Sequence, residues 1–342
     1  TFVGGEKLTE LGTATNLVIC QKSKINDWIN HFKQWYNLDR FIFDLTNKKD
    51  YEKFINNPIG IGFINYELVF RRKELLKLKN FTLLLDESSM IQNDKAKRTK
   101  FILKLKADNV ILLSGTPANG KYENLYSQCK LLGWDISKEL FYNQYIITKP
   151  LEVAKGVIIN QVVGYKNVNR LKSKLAEHGA VFLTCEQAKL ELPESTDITM
   201  NFDCTPEYHK FMKDRYIKIQ DKEFIGDTSL TRLLYARMLC ANHNKMKVQA
   251  FKDLLQSTED RIIVFYNFYD ELYALEDICI ELDRPTSIVN GKSKDLACFE
   301  DYENSVTFIQ YQAGAMGLNL QKCNKTVYFS LPLLPKLFEQ SK

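Results

Sequence analysis

Apolar residues come in short unbroken runs separated by stretches of helical period. The runs at 16–20, 40–45, 59–66, 81–85 and 109–113 have strand length and apolar side chains on both faces, as strands buried in a parallel sheet require. Between them the period changes. Residues 1–14 space Phe2, Val3, Leu8 and Leu11 as a helix that Gly12 ends. Ile25, Trp28, Ile29 and Phe32 give the i, i+3, i+4, i+7 face of a second helix, with Ser23 as its cap. Residues 67–80 predict a basic helix and residues 94–106 a lysine-rich one. Strands alternating with helices at this spacing predict a doubly wound parallel sheet.

From residue 121 the pattern is helical, with few strands. Helices are expected at 122–132, 136–147, 168–178, 206–220 and 229–256. Glu191-Leu192-Pro193-Glu194 breaks the period and reads as a connector. A second α/β block opens at 261–265, continues through a helix at 270–282 and strands at 286–291 and 306–309, and closes with a strand at 326–330. The divisions are therefore 1–133, 134–250 and 251–342.

Composition narrows the class. With 342 residues, 45% hydrophobic and 26% charged, the chain reads as a soluble globular protein of more than one domain. A net charge of +5 permits a nucleic-acid partner without demanding one. No apolar run approaches a membrane span, and the first residues lack a signal-peptide layout. The eight cysteines form no Cys-x-x-Cys pair, which speaks against a zinc ribbon and for reduced core thiols. None of the four histidines reads as a metal ligand. The Lys-, Asn- and Ile-rich style suggests a bacterial or phage cytoplasm.

The chemistry concentrates at 81–89, where Phe-Thr-Leu-Leu-Leu runs into Asp86-Glu87-Ser88-Ser89. Two carboxylates at the carboxyl end of a buried parallel strand sit where open α/β sheets place ligands. They read as a Walker B pair: Asp86 to hold Mg²⁺ directly or through water, Glu87 to orient and deprotonate the water that attacks a γ-phosphate. The bland alternative is a strand entering an acidic loop. No Gly-x-x-x-x-Gly-Lys-Ser/Thr loop accompanies the pair, so this is half of a nucleotide site.

The order of the segments decides between them. Asp86-Glu87, then Ser114-Gly115-Thr116-Pro117, then Gly314-x-x-Gly317-Leu318-Asn319-Leu320 resembles the core of superfamily-two helicases. More narrowly it resembles the Swi/Snf-type DNA translocase ATPases, and the likeness extends over the whole chain. It includes Leu17 to Phe32, Phe63 to Glu67, Leu112 to Leu125, Leu192-Pro193, Ile263 to Phe265, Asn290-Gly291 and Phe338-Glu339-Gln340.

The resemblance implies two RecA-like parallel-sheet lobes with helical insertions between them, ATP and Mg²⁺ as substrate and metal, and sequence-independent binding of duplex DNA. It also implies a chain truncated at both ends. Thr1 would be the Mg²⁺-ligating hydroxyl that closes the missing phosphate loop, and an arginine motif would follow Lys342. As written, such a chain should hydrolyse ATP poorly.

In this family Ser114, Gly115 and Thr116 would relay nucleotide state to DNA grip, with Ser89 coupling the lobes where the family often has histidine. Gly317 and Asn319 would approach the nucleotide or the DNA backbone. Lys22, Ser23, Tyr66, Asn267, Gly291 and Lys292 are the candidate phosphate contacts, with Gln312 where the family places an arginine. The rivals are a strand-separating or branch-migrating helicase and a catalytically silent DNA- or protein-binding module.

Overall fold

The computed structural model describes residues 1–36, 41–154, 156–183, 187, 195–314, 318 and 320–341. It divides into two compact units, Thr1–Leu192 and Pro193–Lys342. The connector expected at 191–194 and the loop residues Gly317 and Asn319 lie outside the described residues.

The first unit is built on β1 (Thr15–Cys20), β2 (Ile42–Asp44), β3 (Gly60–Asn65), β4 (Phe81–Asp86) and β5 (Asn109–Leu113). Their order is β2-β3-β1-β4-β5, and every neighbouring pair is parallel. Around them lie α1 (Phe2–Leu11), α2 (Ile25–Tyr36), α3 (Lys48–Asn56) and α4 (Lys97–Ile102). Strand alternation sorts the apolar runs into two layers. Val18, Cys20 and Leu84 pack with Leu8, Ile25, Trp28 and Phe32. Leu17, Ile19, Leu83 and Leu85 pack with Phe54, Phe101 and Ile102. Each such side chain contributes about 1.5–3 kcal/mol by burial. A six-residue helix such as α4 has no stability of its own, so packing rather than propensity holds it.

Two expected helices are corrected here. Residues 67–80 form 3₁₀ turns at Val69–Arg71 and Lys73–Lys77. Val69, Leu75 and Leu78 are all buried, and those spacings fall on different faces of an α-helix. The lysine-rich helix is only α4, because Asn93 turns the chain before it, accepting the Lys95 N–H on its side chain at 3.0 Å. Ser23 also differs: it lies inside a 3₁₀ turn, Lys22–Lys24, that leads into α2.

The rest of this unit holds α5 (Tyr126–Leu131), α6 (Lys138–Tyr145), the hairpin of β6 (Ile146–Ala154) and β7 (Val157–Tyr165), and α7 (Val168–Glu177). Leu125, Cys129, Phe141, Tyr145, Leu171 and Leu175 form its core. The helices expected at 136–147 and 168–178 are α6 and α7, and the long hairpin occupies the stretch between them. Its apolar residues are largely exposed (Ile158 67%, Val153 53%), so no buried face imposed a readable alternation.

The second unit opens with α8 (Pro206–Asp214), which stops where Arg215 takes φ 58, and with a hairpin of β8 (Tyr216–Ile219) and β9 (Lys222–Ile225). The single helix expected at 206–220 is thus a helix and a strand. The stretch 229–256 is likewise two helices, α9 (Ser229–Cys240) and α10 (Lys245–Ser257). Asn244 divides them, its side chain capping the Met246 and Lys247 N–H groups. The sheet follows: β10 (Ile262–Tyr266), β11 (Thr286–Val289), β12 (Val306–Gln310) and β13 (Lys325–Tyr328), in order β11-β12-β10-β13 and parallel throughout. Helices α11 (Tyr269–Glu281), α12 (Ala297–Asp301), α13 (Tyr311–Gly314) and α14 (Pro335–Glu339) complete it. The expected class, α/β with two parallel sheets, is the class observed.

Candidate functional site

Strand β4 delivers the two acids. Its five residues before Asp86 are buried, and Asp86 and Glu87 emerge half-buried at its carboxyl end. Glu87 then turns into the left-handed region, φ 61 and ψ 58. That turn aims its carboxylate at the neighbouring strand: Glu87 Oε1 accepts from Ser114 Oγ at 3.0 Å, just beyond β5, and from the Ser89 hydroxyl. Ser114 Oγ in turn accepts the Thr116 N–H at 3.1 Å. Two of the predicted coupling residues, Ser89 and Ser114, therefore meet the predicted catalytic acid directly, and Thr116 is linked to it through Ser114. The Thr116 hydroxyl is buried and without a hydrogen-bond partner among the described residues.

Four other contacts were not legible in the sequence. Trp28 Nε1 donates to Asp86 Oδ2 at 2.8 Å. Ser88 Oγ donates to Gln128 Oε1 at 2.9 Å, and Gln128 Nε2 donates to the Pro117 carbonyl at 2.8 Å, tying the acid loop to the Ser-Gly-Thr-Pro loop. Tyr66, expected on the DNA path, is instead fully buried, and its hydroxyl donates to the Asp86 carbonyl at 2.9 Å. With no surface to offer a phosphate, it is a support of the acid loop. Burial first, then the Asp86 charge, raises the Tyr66 hydroxyl well above its usual range, so it stays a donor. The same two causes raise the Cys20 thiol, which stays neutral beside the acids.

The remaining predicted residues of this unit lie around that edge. Thr1 is exposed at the start of α1, where Gly5 N–H bonds to its carbonyl at 2.9 Å. Lys22 and Ser23 are exposed in the turn that follows the carboxyl end of β1, the strand beside β4.

In the second unit the predicted residues fall at strand ends with different surroundings. Asn267 is committed internally: its amide donates to Ser330 Oγ at 2.7 Å and to the Ser330 and Leu331 carbonyls. Its N–H donates to Glu271 Oε2 at 2.8 Å. Gly291 and Lys292 are exposed after β11, with Lys292 Nζ 5.3 Å from the Tyr269 ring centroid. A Cβ on Gly291 would meet nothing within 4 Å, so no close approach requires glycine there. Gln312 is exposed on α13.

The model of the SNF2-related domain matches residues 6–259 of the chain. The chain belongs to the SNF2 family. Its relatives include the mouse SWI/SNF-related matrix-associated actin-dependent regulator of chromatin subfamily A member 1, 23% identical over 94% of this chain and 34% of that protein. They also include the yeast ISWI chromatin-remodeling complex ATPase ISW1, 21% identical over 96% of this chain and 32% of that one. The mouse DNA repair and recombination protein RAD54B is 22% identical, covering 85% and 30%. This SNF2 chain thus spans about a third of the length of the curated relatives it matches. Coming from mouse and yeast, these relatives lend no support to a bacterial or phage origin. Among solved structures, the Sulfolobus solfataricus SWI2/SNF2 ATPase core in complex with dsDNA aligns at TM-score 0.46 and 17% identity, covering 95% of this chain and 73% of that one.

The donors of the SNF2 chain suit Mg²⁺. Among the described residues no group of three or more His, Cys, Asp or Glu side chains is arranged to hold an ion. Asp86 offers a hard carboxylate oxygen at a strand end, which matches a cation held by one or two protein oxygens and otherwise by phosphates and water. No helix is long and apolar enough to cross a membrane among the described residues.

Proposed function

We propose that this SNF2 chain hydrolyses ATP and couples hydrolysis to movement along duplex DNA. The observation that carries the reading is the placement of Glu87. Its carboxylate stands at the end of a buried parallel strand and accepts from both Ser89 and Ser114. There it accepts a proton from the water attacking the γ-phosphate, while Asp86 and the Thr1 hydroxyl hold Mg²⁺. The metal, when bound, neutralises charge on the phosphate oxygens. Glu87 is also the junction through which Ser114, Gly115 and Thr116 sense the nucleotide, and Ser89 adds a second link. Lys22, Ser23, Gly291, Lys292 and Gln312 grip the DNA backbone without reading its sequence. Each ATP closes the two lobes, hydrolysis releases them, and the duplex is passed along. Relatives named as a chromatin-remodeling complex ATPase and as a DNA repair and recombination protein support ATP and DNA as the ligands.

The test is phosphate release with and without duplex DNA, for the wild type and Glu87→Gln. Turnover should rise with duplex DNA and fall about 10²–10⁴-fold in the variant, the usual worth of a general base. Turnover that ignores DNA, or a variant as active as the wild type, sinks the reading.

A further inference from the structure

Trp28 lies on α2, 1% exposed, inside the layer that packs α1 and α2 on the sheet. Such a position ordinarily asks for an apolar ring. This ring also carries an N–H, and a buried indole N–H needs an acceptor. It has one in Asp86 Oδ2, at 2.8 Å. Because the acceptor is a carboxylate, the bond is charge-assisted and strongly oriented.

The other end of the same ring touches α1. A Cβ added at Gly4 would stand 2.8 Å from Trp28 Cη2, so glycine is what lets α1 approach the indole. One rigid side chain thus spans from the first turn of α1, which follows Thr1, to the side chain of Asp86. From the opposite side, Tyr66 fixes the backbone of Asp86 through its carbonyl at 2.9 Å.

We propose that Trp28 is a positioning residue for the metal end of the site. Its N–H occupies Oδ2, and so turns Oδ1 toward the divalent cation as a single ligand. Its ring fixes how far α1 stands from Asp86. The proposal rests on the reading of Asp86 as the Mg²⁺-holding acid. The physical need is clear: Mg²⁺ demands near-octahedral geometry, which a freely rotating carboxylate degrades by offering both oxygens. Partners that hydrogen-bond a metal ligand typically alter metal affinity or activity by about 10- to 100-fold.

The test removes the N–H without removing the ring. Trp28 is replaced site-specifically by β-(3-benzothienyl)alanine, in which sulfur stands for N–H in the same bicyclic shape. 7-Azatryptophan, which keeps the N–H, serves as the rescue. The probes are Mn²⁺·ATP, followed by water-proton relaxation, and ATP with the metal chelated away. The benzothienyl protein should bind Mn²⁺·ATP about 10-fold or more weakly, with metal-free ATP affinity unchanged. The azatryptophan protein should bind both as the wild type does. Equal Mn²⁺·ATP affinity in the benzothienyl and wild-type proteins overturns the proposal, as does an equal loss for metal-free ATP. Asp86→Asn separates the two levels. If it weakens Mn²⁺·ATP and the benzothienyl change does not, only the role of Trp28 falls. If Asp86→Asn leaves Mn²⁺·ATP binding untouched, the reading of Asp86 falls too.

Discussion

Glu87 holds a left-handed backbone, φ 61, at a cost on the order of 1–3 kcal/mol for a residue with a side chain. Glycine would relieve that strain and delete the carboxylate, so the strain is tied to where the carboxylate points: onto Ser114 and Ser89. In the second unit, Glu271 is a carboxylate of the opposite kind, fully buried. It accepts from the Asn267 and Phe268 N–H groups and from Ser330 Oγ. Burial pushes its carboxyl above the usual range, against those hydrogen bonds and the charge of Lys247. The folded state therefore holds that proton more tightly than the unfolded chain. The contribution of Glu271 to stability is fully present below its ordinary value of 4.5 and is lost as pH rises through the raised folded value. Glu271→Gln keeps an acceptor and abolishes the titration. Denaturant unfolding measured from pH 4.5 up to neutrality should show the wild type losing stability relative to the variant. A difference that stays flat with pH would show that the hydrogen bonds outweigh burial.

At the scale of elements, α1 depends on a close approach. A Cβ at Gly4 would stand 2.7 Å from Leu113 Cδ1, 2.8 Å from Trp28 Cη2 and 3.0 Å from Leu84 Cδ1. Overpacking of this kind costs about 1–3 kcal/mol, and alanine returns about 1 kcal/mol of helix propensity. Leucine tips yield more easily than an indole. Gly4→Ala should therefore destabilise the first unit by about 1 kcal/mol, seen as a lower denaturation midpoint. A variant as stable as the wild type would mean that α1 sits more loosely than its contacts imply. The same packing explains which elements could be read in advance. Strands β1 and β4 were legible because burial on both faces forces an unbroken apolar run. The hairpin of β6 and β7 was not, since its faces are exposed and Pro150 interrupts the first strand. Nor were Trp28–Asp86 and Ser88–Gln128, which join residues 58 and 40 apart in the chain. Such pairs exist only once the order of the strands is set, and sequence periodicity does not specify that order.

For the whole molecule, charge is the remaining lever. A net charge of +5 is small for a protein proposed to grip a polyanion, so the proposed binding would come from where the cations lie rather than from their sum. Lys22 follows the strand next to the acids, and Lys292 follows β11 in the other unit. Both are exposed at turns beyond the carboxyl ends of parallel strands, the edge at which such sheets meet their ligands. If each neutralises one phosphate, removing it releases one fewer counterion, and the dependence of log K on log salt should become shallower by about 0.9. The experiment is duplex-DNA affinity over a salt series for the wild type, Lys22→Ala, Lys292→Ala and the double variant. Each single change should weaken binding similarly on unrelated sequences, since backbone contacts carry no base information. The two slope changes should add, because the residues share no partner. Lys292 has a second commitment, its ammonium over the Tyr269 ring, worth about 0.5–1 kcal/mol at an exposed site. An unchanged slope in Lys292→Ala alone would assign that lysine to the ring and leave the grip to the first unit. An unchanged slope in both would move the DNA path away from these strand ends altogether.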